Sequence, residues 1–172
     1  MKNQKGPACR QAGEILIEAL LGLAVAITII TGLIVALSSS VSNSTFSTNQ
    51  SQASLIAKEG LDLVKNIKED DYSSISGKTG NYCFNDSQDL VSGAECPEDV
   101  VADNITFSRQ IYISSNGKDR RKSPPKPACS EDGPSVFAAS IVSWWDSKCG
   151  SNENTKCHKI ELNSCFTDLT GI

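Results

Sequence analysis

Apolar residues are concentrated near one end of the chain, where residues 15–37, ILIEALLGLAVAITIITGLIVAL, are interrupted by a single charge, Glu18. At ~1.5 Å per residue this run makes a helix of roughly 34 Å, close to a hydrocarbon layer of about 30 Å. The length predicts one membrane pass. A different pattern follows. Ala53, Ile56, Ala57, Gly60, Leu61, Val64 and Ile67 recur at spacings of three and four, the stripe of an amphipathic helix, and Lys58, Glu59, Asp62, Lys65, Lys68 and Glu69 fill its polar side. From Leu33 to Glu59 there is neither Gly nor Pro. A continuous helix from about 15 to 69 is therefore predicted, roughly 82 Å long, too long to be one element of a compact core. Its weak stretch is 38–52, rich in Ser, Thr and Asn, where mediocre helix formers lead us to expect a bend or local melting.

After residue 72 the period changes from helical to two. Ile105, Phe107, Arg109, Ile111 and Ile113 alternate with Thr106, Ser108, Gln110 and Tyr112, which predicts a strand with one buried face, and Asn116-Gly117 then supplies a turn. A second strand is expected over 136–145, where small and apolar residues suit a central position. In a third, over 157–166, His158, Ile160, Leu162 and Ser164 alternate with Lys159, Glu161 and Asn163. Gly77 and Gly80 mark the exit from the helix, and residues 81–84 are too short a run to assign. The expected class is α+β, a long helix packed against a small antiparallel sheet.

Composition narrows the function. A chain of 172 residues accommodates about one domain, and 16 Lys and Arg against 20 Asp and Glu is not the balance of a nucleic-acid binder. The first 13 residues carry Lys2, Lys5 and Arg10 and no acid, so the amino terminus is expected in the cytoplasm and the remainder outside it. A secretory signal peptide is the rival, but its apolar stretch is only ~7–15 residues and gives no reason to tolerate Glu18. A carboxylate at the hydrocarbon edge is costly unless neutralised or paired. Cutting after Gly13 would place an α-amino group on Glu14, four residues from Glu18, to meet Glu18 of its own chain or of a neighbour. The alternative is simple snorkelling to the headgroups.

Gly13-Glu14-Ile15-Leu16-Ile17-Glu18-Ala19-Leu20-Leu21 resembles the prepilin-type cleavage and methylation motif of type IV pilins and type II secretion pseudopilins. The resemblance is strong over about 6–38 and looser to about 72. It implies cleavage after Gly13, methylation of the new amino group on Glu14, and a contact between Glu18 and the amino terminus of an adjacent subunit. The stretch from Leu55 to Ile67 is similar, more weakly, to minor pilins and pseudopilins of the PilV and GspI type, and the mid-membrane proline common in major pilins is absent. Glu14 itself departs from the usual Phe or other apolar residue after the cut. The implied organisation is a cytoplasmic leader (1–13), a transmembrane and assembly helix (14–37), an extracytoplasmic amphipathic helix (38–72) and a disulfide-rich β headpiece (73–172). Implied partners are a prepilin peptidase, other pilins or pseudopilins, an inner-membrane assembly platform, indirectly an assembly ATPase, and membrane lipid before assembly.

Seven cysteines are present, and loss of Cys9 with the leader leaves Cys83, Cys96, Cys129, Cys149, Cys157 and Cys165. An even set in a small extracytoplasmic headpiece points to as many as three disulfides, with fifteen pairings open. Zinc on Cys149, Cys157, His158 and Cys165 is the competing reading, disfavoured because no Cys-x-x-Cys knuckle is present. No cofactor is expected. The segment from Lys118 to Pro127 holds Lys118, Arg120, Arg121, Lys122 and Lys126, read as a solvated loop, with contact to DNA phosphates or an anionic surface polymer as the functional option. Of Trp144 and Trp145, one is expected in the core and the other at a subunit contact. Glu69, Asp70 and Asp71 read as a solvated helix end, and the sequons at Asn43, Asn85 and Asn104 carry little weight. His158 is the only histidine, and no nucleophile and orienting acid accompany it at defined spacing. The expected role is structural and not enzymatic: a filament subunit, with a membrane-anchored extracytoplasmic binding protein as the alternative and an extracytoplasmic enzyme as a more distant third.

Overall fold

Helix α1 runs from Ala8 to Asp70, 63 residues, in a computed structural model that describes residues 8–93, 99–103, 105–115, 117–121, 126–127, 129, 135–149 and 156–168. The chain forms two compact units, Met1–Phe46 and Ser47–Ile172, and α1 contributes to both. The Ser- and Thr-rich stretch is helical throughout, and local melting does not occur. Within it Thr45 Oγ1 turns back onto the helix and donates to the Val41 carbonyl at 3.0 Å, as Ser54 Oγ just beyond it does to Gln50 at 2.9 Å, so neither hydroxyl competes for other backbone groups.

In the second unit α1 is followed by a short α2 (Ser73–Ser76), whose first N–H is taken by the Asp71 carboxylate at 2.9 Å. Among the described residues eight strands follow: β1 (Thr79–Phe84), β2 (Leu90–Ser92), β3 (Asp99–Ala102), β4 (Ile105–Ser114), β5 (Lys118–Asp119), β6 (Lys126–Pro127), β7 (Ser135–Trp144) and β8 (His158–Thr167). Among the described residues the main sheet has the order β2-β1-β4-β7-β8, all antiparallel, with β3 paired to the amino-terminal half of β4 and β1 to its carboxy-terminal half. Strands β5 and β6 form a separate two-stranded ribbon. The three strands expected from sequence, two from alternation and one from its run of small and apolar residues, correspond to β4, β8 and β7 within two residues at their ends. Strands β1, β2 and β3 were not legible, because runs of three to six residues are too short to establish a period.

Register sorts the sheet into two faces. Ile111 and Ile113 of β4 lie opposite Ser140 and Ala138 of β7, and with Val136, Tyr82, Phe84 and Phe166 they pack against Val64 of α1 and Ile75 of α2. Leu61 and Ile67, from the predicted stripe, pack against the same core. Ala53, Ile56 and Ala57, also from that stripe, are buried. Gly60 permits the close approach: a Cβ there would sit 2.7 Å from Ser140 Oγ and 3.0 Å from both Arg109 Cδ and Ile111 Cδ1. Arg109 is itself 3% exposed on this face, its guanidinium 5.2 Å above the Phe84 ring, 3.4 Å from the Ile56 carbonyl and 3.7 Å from Glu59.

The other face carries a smaller cluster of Tyr112, Phe137 and Ala139, with Cys129 and Ile141 against it. The molecule is thus α+β, a long amino-terminal helix whose carboxy-terminal part packs on a small antiparallel sheet.

Candidate functional site: the amino-terminal helix

Residues 15–37 of α1 present apolar side chains on every side, from Ile15 at 67% exposed to Leu37 at 64%, and none of its most apolar window is buried within the chain. A water-soluble helix would hide one face. The two hydroxyls in this run are satisfied within the helix, Thr28 Oγ1 donating to Val25 at 2.8 Å and Thr31 Oγ1 to Ile27 at 2.6 Å, so neither needs water. By length and composition the segment is consistent with a single membrane span.

Glu18 is exposed on this surface, and among the described residues no cation reaches it. Gly13 and Glu14 lie in the turn before it, where the described backbone is already helical. Glu14 and Glu18 therefore occupy successive turns of one helix face. The two positions form a linear feature of α1.

Farther along α1, Gln52 Nε2 donates to Asp103 Oδ2, beyond β3, and Asn49 is buried. Asp103 has φ of 47°, in the left-handed region that Asp tolerates better than most residues.

The headpiece is cross-linked. Cys129 is bonded to Cys165 and Cys149 to Cys157, while Cys83 is disulfide-bonded as well and Cys96 lies outside the described residues. Of the four residues considered for zinc from sequence, Cys149, Cys157 and His158 are grouped, with the two cysteines joined as a disulfide, whereas Cys165, opposite Phe137 on the outer face of β8, is committed to Cys129 and stands apart.

Nor is the basic segment wholly a solvated loop. Arg121 packs its guanidinium 4.7 Å over Tyr112 and 5.8 Å over Phe137, forks onto the buried Asp119 with Nε and Nη2 at 2.9 and 3.1 Å, and reaches Glu161 of β8 at 2.6 Å. Burial alone would lower its pKa, but the hydrogen bonds to both carboxylates outweigh it and the pKa rises. Lys118 and Arg120 are exposed, and Lys122 lies outside the described residues. Near the end of α1, burial first and the Asp168 carboxylate second raise the Tyr72 phenol above its ordinary value.

Trp144 is the core member of its pair at 1% exposed, beside Phe107 with ring centroids 5.9 Å apart, and Trp145 is half-buried just past β7. His158 Nε2 is 2.9 Å from Asp146 Oδ1.

No family model, curated protein or solved structure matches the chain. The architecture, a long apolar amino-terminal helix joined to a small antiparallel sheet, is consistent with a pilin-like organisation in general.

Sequence reasoning missed the Asp119–Arg121–Glu161 cluster and the Asp146–His158 pair. Neither leaves a local spacing signal, because each depends on strand register or a turn that joins distant residues. The alternation that placed Arg109 on the buried face of β4 was the one available hint that a cation sits under α1.

Proposed function

We propose that this chain is a filament-forming subunit of the type IV pilin and pseudopilin class, a minor or accessory one, held in a membrane by residues 15–37 until it is processed after Gly13. The observation that carries the reading is Glu18, the only charge within residues 15–37, whose apolar side chains are exposed on all sides, set one turn after Glu14 and following a basic, acid-free stretch of 13 residues. An unpaired carboxylate in such a surface is costly. A new α-amino group on Glu14 of an adjacent copy would neutralise it and fix the axial stagger of neighbouring helices.

Moving the apolar face from lipid to equally apolar neighbours supplies little hydrophobic drive, so packing and the ion pair set register while an external motor does the extraction work. The partners this requires are a prepilin peptidase, other pilins or pseudopilins, an inner-membrane platform and an assembly ATPase. The cross-linked headpiece suits an oxidising, extracytoplasmic setting.

Mass spectrometry of protein isolated from its native membrane tests processing, with a start at the N-methylated Glu14 expected. Glu18→Gln should abolish incorporation into filaments while the headpiece keeps its unfolding midpoint. Protein that begins at Met1, or filaments that accept Glu18→Gln at wild-type levels, would overturn the reading in favour of a permanently anchored binding protein.

A further inference from the structure

Beyond β7 the chain makes a 3-10 turn over Ser147–Cys149 and returns as β8. Around this turn three ligand-type side chains converge, Cys149, Cys157 and His158, their sulfur and ring-nitrogen atoms all within 4.8 Å of one another, the one such group among the described residues. We propose that Cys149, Cys157 and His158 form a binding site for a borderline divalent cation, Zn²⁺ by the chemistry of the donors, which opens when the Cys149–Cys157 disulfide is converted to the dithiol.

The surroundings of the three donors are already arranged. His158 stacks its ring on Trp144 with centroids 5.3 Å apart and 30° between planes, and its Nε2 lies 2.9 Å from Asp146 Oδ1. Donation from Nε2 to that carboxylate would leave Nδ1 as the ligating nitrogen, the carboxylate–histidine arrangement that orients metal-ligating histidines. Asp146 is fixed in turn, because its carboxylate also accepts the Lys148 N–H at 2.8 Å. Its own backbone N–H points to Cys149 Sγ at 3.4 Å, a donor that strengthens as the sulfur becomes a thiolate. Zn–S distances of about 2.3 Å and Zn–N distances of about 2.0–2.1 Å require only that the two sulfurs part once their bond is gone. Three protein donors leave a fourth position for water or an exogenous ligand.

The redox step needs a dithiol reductant. Its thiolate attacks one sulfur of the pair, the second thiolate resolves the mixed disulfide, and the reductant leaves oxidised while Cys149 and Cys157 gain two electrons and two protons. Binding Zn²⁺ then releases the two thiol protons to solvent. Cys157 is exposed and Cys149 half-buried, so a small reductant reaches the bond. Disulfide and metal are alternative occupants of one site. Among the described residues no ligand-type group of three includes Cys129 or Cys165, and their bond serves as an internal control.

The test uses the full chain in detergent, oxidised or treated with a dithiol under argon, titrated with Zn²⁺ against a chromophoric chelator and with Co²⁺ by absorbance. Reduced wild type should bind one Zn²⁺ and show a sulfur-to-cobalt charge-transfer band, and oxidised protein should do neither. His158→Ala should weaken Zn²⁺ binding at least tenfold, and Asp146→Asn by about tenfold as a positioning residue. Cys149→Ser with Cys157→Ser should abolish the charge-transfer band although the other cysteines are reduced. Equal binding by oxidised protein, retention of the band in the double serine variant, or wild-type affinity in His158→Ala would each overturn the proposal. Should reduction melt the headpiece, Zn²⁺ must restore the near-ultraviolet circular dichroism of wild type and not of the double serine variant. Failure to restore it overturns the proposal equally.

Discussion

At Gly60, α1 and the sheet leave no room for a methyl group. Alanine is the better helix former by about 1 kcal/mol, so in an exposed helix Gly→Ala would stabilise. Here the new Cβ meets Ser140 Oγ at 2.7 Å, in a layer where Ser140 is fully buried and Ile111 and Arg109 close the other sides. Overpacking of this kind costs about 1–3 kcal/mol, which exceeds the propensity gain. Gly60→Ala is expected to lower headpiece stability by about 1–2 kcal/mol, read as a shift in urea midpoint at unchanged slope. Adding Ser140→Ala should recover part of the loss, because it removes the nearest atom together with a buried hydroxyl that has no hydrogen-bond partner. Gly77→Ala, where nothing lies within 4 Å, should change stability by less than about 0.5 kcal/mol. An additive Gly60→Ala and Ser140→Ala pair would show that the contact is not what fixes the spacing.

Among the elements, what the sequence disclosed followed the length of each pattern. Helix α1 and strands β4 and β8 carry sustained periods, β7 is a ten-residue run of mostly small or apolar residues, and all four were legible. Of the short strands, β1 and β3 gain their identity from β4, one edge of which they share, and β2 gains its own from β1, and no local pattern encodes that. Cross-links were legible as a count and not as pairs, since pairing depends on which turns the register brings together. The two described disulfides close loops of very different length, with sequence separations of 36 for Cys129–Cys165 and 8 for Cys149–Cys157. On the chain-entropy account the longer loop contributes about 4 kcal/mol and the shorter about 2.5 kcal/mol. The longer bond also ties β8 to the segment whose Cys129 N–H bonds the Gly117 carbonyl at 2.9 Å, beside the β5–β6 ribbon and its buried Asp119. Paired alanine substitutions at Cys129 and Cys165 should therefore cost at least 1 kcal/mol more than those at Cys149 and Cys157 by denaturant unfolding. The reverse order would place the stabilising restraint at the β7–β8 turn.

For the whole molecule, the apolar run and the folded core belong to different units, and that separation is testable by truncation. Among the described residues the largest fully buried side chains lie between Val64 and Trp144, all within the unit Ser47–Ile172, whereas residues 15–37 are exposed throughout. A fragment of residues 47–172 keeps Ala53, Ile56, Ala57 and Val64, the helix side of the core. It should be soluble without detergent and unfold cooperatively. Starting instead at Asp71 removes those four residues and Leu61 and Ile67, and exposes Ile111, Ile113, Val136 and Ala138. Burial of an aliphatic side chain is worth about 1.5–3 kcal/mol, so Ile56 and Val64 with the half-buried Leu61 and Ile67 amount to roughly 5–10 kcal/mol, comparable to the total stability of a domain this size. The shorter fragment should lose near-ultraviolet circular dichroism and show no sigmoidal melt. Cooperative unfolding by residues 71–172 would mean that the sheet is self-sufficient and that α1 is an appendage to it, and the long helix would then owe its continuity past residue 38 to something other than the headpiece.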